Sequence, residues 1–467
     1  MSIQVSSSSS DVMQRTLNRD RYLLHLLEQT ASPETDLELL RSLRTQSRLL
    51  VQEQAFPTTR DEEWRFTDLS SLLQVSFEAL TAQPAISSEQ IAPFTLPEAV
   101  DSRLVFVNGV YQPQLSSVKG LPKYLYVGSL SELLAGKQER AIILQSRLSH
   151  YLGKQPGAAE LFTALNTANL TDASILWAPK SLVVETPIHL LFISTAASSP
   201  VFSQPRCLVV AESNSALTFV EEYVGLGEDV YFTNAVTEVW VEANAQVTHS
   251  RIQRESKAAF HIGKTAVSQA RDSRYTCNAI SLGGKVSRHN PEIFQTGEQT
   301  ETHLNGLTIA LQEQLSDTHS AIAYSKPHGS SRQLHKCIIG DRAHGVFNGK
   351  VFVPQSAQLT DAGQLNRNLL LSPKARVDTK PQLEIVADNV KCTHGATVGQ
   401  LDADEVFYLQ SRGIDAASAR SLLVYAFAFE VIEQVRSPPS NKPSPTSSRP
   451  KSPNSLLLHL GKPELPQ

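Results

Sequence analysis

Leucines recur at helical spacing from about residue 13 to 55, through NRDRYLLHLLEQTASPETDLELLRSLRTQSRLLVQEQAF, and this pattern predicts two amphipathic helices. SPETD between them supplies a capping signal, Ser32 with Glu34 or Asp36 in the first turn. In RLVFVNGVY, residues 103 to 111, Asn108-Gly109 sits between two short β-prone runs, the spacing of a two-residue hairpin. Residues 131 to 168 are helical again and end near ELFTALNTANL.

From about 175 to 400 the helical period disappears. Short β-prone runs replace it, such as SLVVETPIHLLFIS, AVTEVWVEANAQVTHSRIQ and KCIIGDRAHGVFNGKVFV, separated by Gly, Asn, Asp and Ser turn residues. Strands that follow one another without helices predict a stacked β-solenoid or a large sandwich. Threonine–histidine pairs at Thr248-His249, Thr302-His303, Thr318-His319 and Thr393-His394 favour a parallel β-helix whose coils stack like side chains in ladders, although no fixed rung length emerges. Residues 404 to 436 return to helix behind Asp415 as cap, apolar on most faces and so in want of a partner. The expected units are a disordered 1–12, a helical and mixed region 13–170, a β-helix 171–400, helices 401–436 and a disordered tail 437–467. That tail holds eight of the chain's 25 prolines and one short apolar patch, Leu456 to Leu460, too little to offset ordering entropy.

Composition narrows the function classes. The 467 residues are 41% apolar and 19% charged, and 42 basic against 46 acidic side chains leave a net charge of −4, no basis for a nucleic-acid partner. The longest apolar runs fall far short of the ~18 residues that span a bilayer, so a soluble protein without membrane partner is expected. Cys207, Cys277, Cys337 and Cys392 form no CxxC pair, which points to a reducing compartment, and MSIQVSSSSSDVMQRTLNRD lacks the basic and apolar regions of an export signal; the cytoplasm is the expected location.

No familiar catalytic constellation is visible. GVFNGK at 345 to 350 has the wrong spacing for a phosphate loop, with Val351 where a hydroxyl would hold magnesium, and GxSxG, HExxH and GxGxxG are missing, so an independent enzyme is not indicated. Two patterns remain. Cys392-Thr393-His394 and His335-Lys336-Cys337 each set a thiol and an imidazole two apart, on one face of a strand, as soft-metal ligands would be. Each supplies half of a four-coordinate site; the competing reading is a buried thiol beside a packed imidazole. Trp64 and Trp240 read as packing residues.

The stretch NVKCTHGATVGQLDADEVFYLQSRGI, residues 389 to 414, resembles the C-terminal signature of the SufB/SufD family of iron–sulfur cluster assembly proteins. PTTRDEEWRFTDL at 57 to 69 and LNTANLTDASILWAPKSLVVETPIHLLF at 165 to 192 resemble that family's N-terminal motif and the start of its β-helix. KARVDTKPQLEI, residues 374 to 385, has no cysteine where the SufB branch carries one, and is similar to the SufD branch. The resemblance implies a right-handed parallel β-helix between an N-terminal helical region and a C-terminal helical domain. It also implies a non-enzymatic scaffold subunit in a complex with a SufB paralogue and two copies of the ATPase SufC. His394, with Cys392 beside it, would face SufB and share a nascent, transient cluster, His394 as metal ligand; flavin involvement stays open. Leu422, Val424, Phe427 and Phe429 would dock SufC, whose ATP-driven dimerisation would pull on both paralogues. Two rivals stand beside this: a β-helix enzyme acting on carbohydrate, and a structural SufC-docking subunit without ligand role.

Overall fold

A computed structural model describes residues 9–29, 38–79, 85–195 and 199–436. The capping signal around Ser32 and the proline-rich tail lie outside the described residues. The helices are α1 (Ser9–Glu28), α2 (Glu38–Glu53), α3 (Ser88–Ile91), α4 (Leu130–Ala135), α5 (Glu139–Arg147) and α6 (Leu161–Ala168), and α1 begins inside the segment expected to be disordered. The first strands are β1 (Arg103–Val107), β2 (Val110–Tyr111), β3 (Tyr126–Ser129), β4 (Ser174–Ala178), β5 (Ile188–Ser194), β6 (Val201–Ser203), β7 (Arg206–Ala211), β8 (Ala216–Gly225), β9 (Tyr231–Val241) and β10 (Gln246–Arg254). They continue as β11 (Phe260–Gln269), β12 (Arg274–Ser281), β13 (Val286–Gln295), β14 (Glu301–Ala310), β15 (Leu315–Tyr324), β16 (Ser330–Ile339), β17 (His344–Val353), β18 (Asp361–Leu370), β19 (Arg376–Ile385) and β20 (Lys391–Gln400). Helices α7 (Ala403–Ser411) and α8 (Ala416–Arg436) close the described chain.

The chain winds as a parallel β-solenoid, its strands falling alternately into two sheets. One sheet runs β2-β1-β5-β8-β10-β12-β14-β16-β18-β20 and the other β19-β17-β15-β13-β11-β9-β7-β4-β3, with β6 beside β9. Antiparallel pieces cap one end, where β2 pairs with β1 and β3 with β4. The Asn108-Gly109 hairpin holds its turn with φ 48° and 83°, the left-handed backbone that Asn and Gly tolerate best. At the other end β19 and β20 are the last strands of their sheets.

Ladders exist, but not the expected ones. Thr248 stacks between Thr218 and Thr276, while Thr302 meets Tyr275 and Ser331 and Thr318 meets His289 and Phe347, so the threonine–histidine pairs do not stack on one another. Coil length explains the missing rung period: register partners lie 26 residues apart at Phe260 and Val286 but 33 apart at Ser174 and Cys207. The corners are regular where the spacing is not. Asn214, Asn244, Asp272, Gln299, His328 and Leu359 all have φ of 56° to 62°, and each donates its backbone N–H to a carbonyl of the next coil.

Period-two alternation sorts each strand into inner and outer faces. Leu217, Phe219, Val239, Val247, Tyr275, Ile293 and Val351 line the interior. Outside, α1, α2, α6 and residues 56 to 77 pack onto Phe202, Phe232, Phe260 and Val286. α8 covers the opposite sheet with Val424, Ala428, Val431 and Ile432 on Leu307, Ile338 and Leu369. At about 25 cal/mol per Å² of apolar surface, these outer layers stabilise the solenoid as well as decorate it.

Candidate functional site

The open end is built by the last coil. In parallel pairing a terminal strand leaves half of its backbone N–H and C=O groups without a neighbour. β20 bonds only β18 and β19 only β17, and nearly every residue of β20 is exposed. Val398 is 51% exposed, and Ile385 and Val386 project from the neighbouring edge.

Cys392 and His394 stand on this strand. Cys392 is in register with Ala362 and His394 with Gln364, both inward-facing and buried, so the two side chains point along the solenoid axis face rather than outward. Cys392 packs partly against the interior core. Burial pushes its thiol up, against a backbone hydrogen bond from Ala362 that pulls the other way. His394 is exposed. Among the described residues no group of three or more His, Cys, Asp or Glu is placed to hold a metal, so this chain presents two donors on an uncovered face.

His335 and Cys337 fit the competing reading, a buried thiol beside a packed imidazole. Both are buried inside the solenoid on β16, two coils from the open end, and His335 stacks on Phe347 with ring centroids 4.9 Å apart. Burial pushes the imidazole down to about 3 and the thiol up to about 12, which leaves both neutral at pH 7. GVFNGK lies in strand β17.

The four residues expected to dock the ATPase divide between two faces of α8. Val424 is buried against the solenoid, and Phe427 packs there too, with Lys336 Nζ 4.6 Å from its ring centroid. An all-round apolar helix on this surface turns its inner face toward its own chain. Leu422 stays 48% exposed, and Phe429 lies beside Tyr425 at 5.6 Å. Sequence reasoning missed Phe407 and Tyr408 of α7, 70% and 57% exposed. Their place in an acidic-capped helix of low amphipathicity was the available signal. Asp415 caps α8, accepting from the N–H groups of Ala417 and Ser418.

A cleft of about 850 Å³ separates the N-terminal arm from the outer face of the β9–β19 sheet. The arm is PTTRDEEWRFTDL. Thr67 donates to Asp317 at 2.5 Å, Asp317 pairs with Arg288, and Arg288 sits 4.0 Å from the Trp64 ring centroid. Glu63 pairs with His319, whose hydrogen bond holds the carboxyl at about 2, and Glu62 reaches Lys380 on β19. The cleft also brings together Glu160, Glu292 and Glu384, but Lys264 pairs with the first two and Lys350 with the third. Trp240 packs against Tyr151, as expected of a packing residue.

Both halves of the chain match family models: residues 19–190 the SufBD protein N-terminal region, and residues 192–427 the SufBD core domain of SUF system FeS cluster assembly. The chain is 45% identical over 424 residues to an iron–sulfur cluster assembly SufBD family protein of Synechocystis, covering 89% of this chain and 92% of that one. It is 37% identical over 444 residues to the chloroplastic protein ABCI7 of Arabidopsis thaliana, covering 92% and 91%. With the iron–sulfur cluster assembly protein SufD of Escherichia coli it shares 32% identity over 410 residues, 87% and 89% of the two chains. A parallel solenoid flanked by these N-terminal and C-terminal helices defines a β-helix protein. The chain belongs to the SufBD family of iron–sulfur cluster assembly proteins.

Proposed function

We propose that this chain acts as the SufD-type scaffold subunit of a complex with a SufB paralogue and the ATPase SufC. The observation that carries this is the uncovered terminal strand β20, on which Cys392 and His394 stand two residues apart. A partner strand added to β20 would satisfy its free backbone groups and bring further ligands to the same face. The nascent iron–sulfur cluster is cargo here, held in transit by His394 together with donors from the partner. SufC docks on the outer face of α7 and α8, where Phe407, Tyr408 and Leu422 are exposed. Closure of two SufC subunits then biases the paired scaffold between two states by binding them unequally.

The chain contributes ligands and surfaces rather than a reaction of its own, in the cytoplasm. The carbohydrate-enzyme reading is disfavoured because the acids of the cleft are matched by cations. Co-expression of the tagged chain with SufB and SufC from the same source, followed by size-exclusion chromatography with light scattering, tests the assignment. A stable heteromer of all three supports it; a chain eluting alone beside well-folded partners sinks it. A heteromer unaffected by loss of both Cys392 and His394, with cluster assembly intact, would reduce the role to structure alone.

A further inference from the structure

Inward-facing side chains of the last coils form a short polar ladder that ends at His394. Gln333, Gln364 and His394 are register partners on β16, β18 and β20. The direction of the ladder is set at its inner end by a backbone carbonyl, which can only accept. Ser320 Oγ donates to the Asn348 carbonyl at 3.4 Å, so it accepts from Gln333 Nε2 at 2.7 Å. Gln333 therefore presents Oε1 to the next coil, and Gln364 meets it with Nε2 at 2.9 Å. The group left over is Gln364 Oε1, an acceptor.

That oxygen is buried and has no partner within the protein. Other donors of this inner layer are spent elsewhere. Thr379 Oγ1 donates to Asn366 Oδ1, and Asn368 Nδ2 donates to Asn366 Oδ1 and the Thr397 carbonyl. The Gln364 amide is also seated: a Cβ on Gly349 would overlap its Nε2 and Cδ, so it fills the space that this glycine leaves. A buried acceptor is costly without a donor. The next side chain in the ladder is His394, one strand spacing of about 4.8 Å away, and a neutral imidazole carries one N–H to give.

We propose that Gln364 is a positioning residue for His394: its Oε1 accepts one imidazole N–H, which leaves the other ring nitrogen bare and turned to the uncovered face. A metal-ligating histidine is commonly held in this way, because giving its second N–H to a carbonyl fixes both tautomer and ring direction. Ser320, Gln333 and Gln364 thereby carry the polarity of the Asn348 carbonyl outward to the ring. The purpose of the contact rests on the reading of His394 as a ligand, but the contact itself belongs to this chain alone. In His394→Ala, water at the open end takes the place of the donor, so the contact is read from the tautomer rather than from stability.

Nitrogen–proton correlation spectra of the full chain, labelled at histidine and recorded at about pH 8 where a free imidazole is neutral, test it. The His394 signals are those lost in His394→Ala. A single tautomer is expected in the wild type, and a mixture in Gln364→Met, which keeps the length of the side chain and removes the acceptor. Asn368→Leu disturbs the same coil at the register position of Val398 and is expected to leave the His394 tautomer unchanged. Equal tautomer populations in the wild type and Gln364→Met overturn the proposal, as does an equal change in Asn368→Leu. Should Gln364→Met fail to fold by circular dichroism, the wild type decides: one tautomer supports the contact and a mixture overturns it. In the complex with SufB and SufC, Gln364→Met is expected to weaken iron retention against a chelator about tenfold. Unchanged retention beside a changed tautomer overturns the positioning role, whereas the ligand reading itself fails separately, if His394→Ala retains iron.

Discussion

His394 and Gln364 occupy the same register position on adjacent strands, and only one of them is covered. Gln364 is 4% exposed and bonded to Gln333, whereas β20 has no strand beyond it. An inner position has therefore become a surface position simply because the solenoid stops.

That geometry separates the two roles of His394. Its side chain is exposed, so His394→Ala is expected to change unfolding stability by less than about 0.5 kcal/mol. Iron retained by the purified complex, measured by metal analysis and visible absorbance, is expected to fall. Unchanged iron at unchanged stability would remove His394 from the ligand set.

The edge itself makes a second prediction. Val398 is half-exposed on β20, where a partner strand would lie. A charge there blunts the edge, so Val398→Lys is expected to weaken partner binding about tenfold, ~1.4 kcal/mol, while the isolated chain melts as before. Titration calorimetry against the SufB paralogue checks it, and wild-type affinity in the variant would place the interface elsewhere.

The sequence displayed some of this and concealed the rest for physical reasons. Asn108-Gly109 was legible because its turn demands left-handed backbone that few residues accept. The rung period was not, because corners absorb insertions and coil length varies while register is kept. The buried face of α8 was not, because apolar residues surround the helix and only Lys336 and the outward-facing Leu307, Ile338 and Leu369 decide that Val424 turns inward. The inward polar side chains were hidden for the same kind of reason: with Glu221, Arg251 and Gln364 facing inward, the hydrophobic alternation that reveals a strand is broken. That Cys392 and His394 share one face of a strand could be read from spacing, but the exposure of that face depends on where the solenoid ends.

Leu359 tests the corner ladder. It holds φ 61° where equivalent corners carry Asn, Asp, Gln or His, and left-handed backbone costs an ordinary side chain about 1–2 kcal/mol. Its side chain is 47% exposed, so little packing is at stake. Leu359→Asn is expected to stabilise the chain by about 0.5–1 kcal/mol in urea denaturation. A loss of stability would show that the leucine side chain contributes more than the backbone costs.

The buried Glu221–His249 pair sets a pH dependence. Burial pushes the Glu221 carboxyl up, but His249 and then Arg251 outweigh it and hold the group at about 2. Burial pulls the His249 imidazole down, while Cys277 and Glu221 raise it to about 9. The depressed carboxyl contributes stability that is present above its ordinary range and lost as pH falls toward 2. The raised imidazole contributes stability that is complete below its ordinary 6.5 and lost as pH climbs through 9. Stability is therefore expected to be highest at about pH 5–6 and to decline from pH 7 to 9. His249→Gln removes one partner of a buried pair and is expected to cost about 3–5 kcal/mol at pH 6, with the gap narrowing by pH 9 as the wild-type imidazole loses its proton. Chemical denaturation of both proteins at pH 6, 7.5 and 9 measures it, and a gap that stays constant over that range would show that the pair is not ionised in the native state.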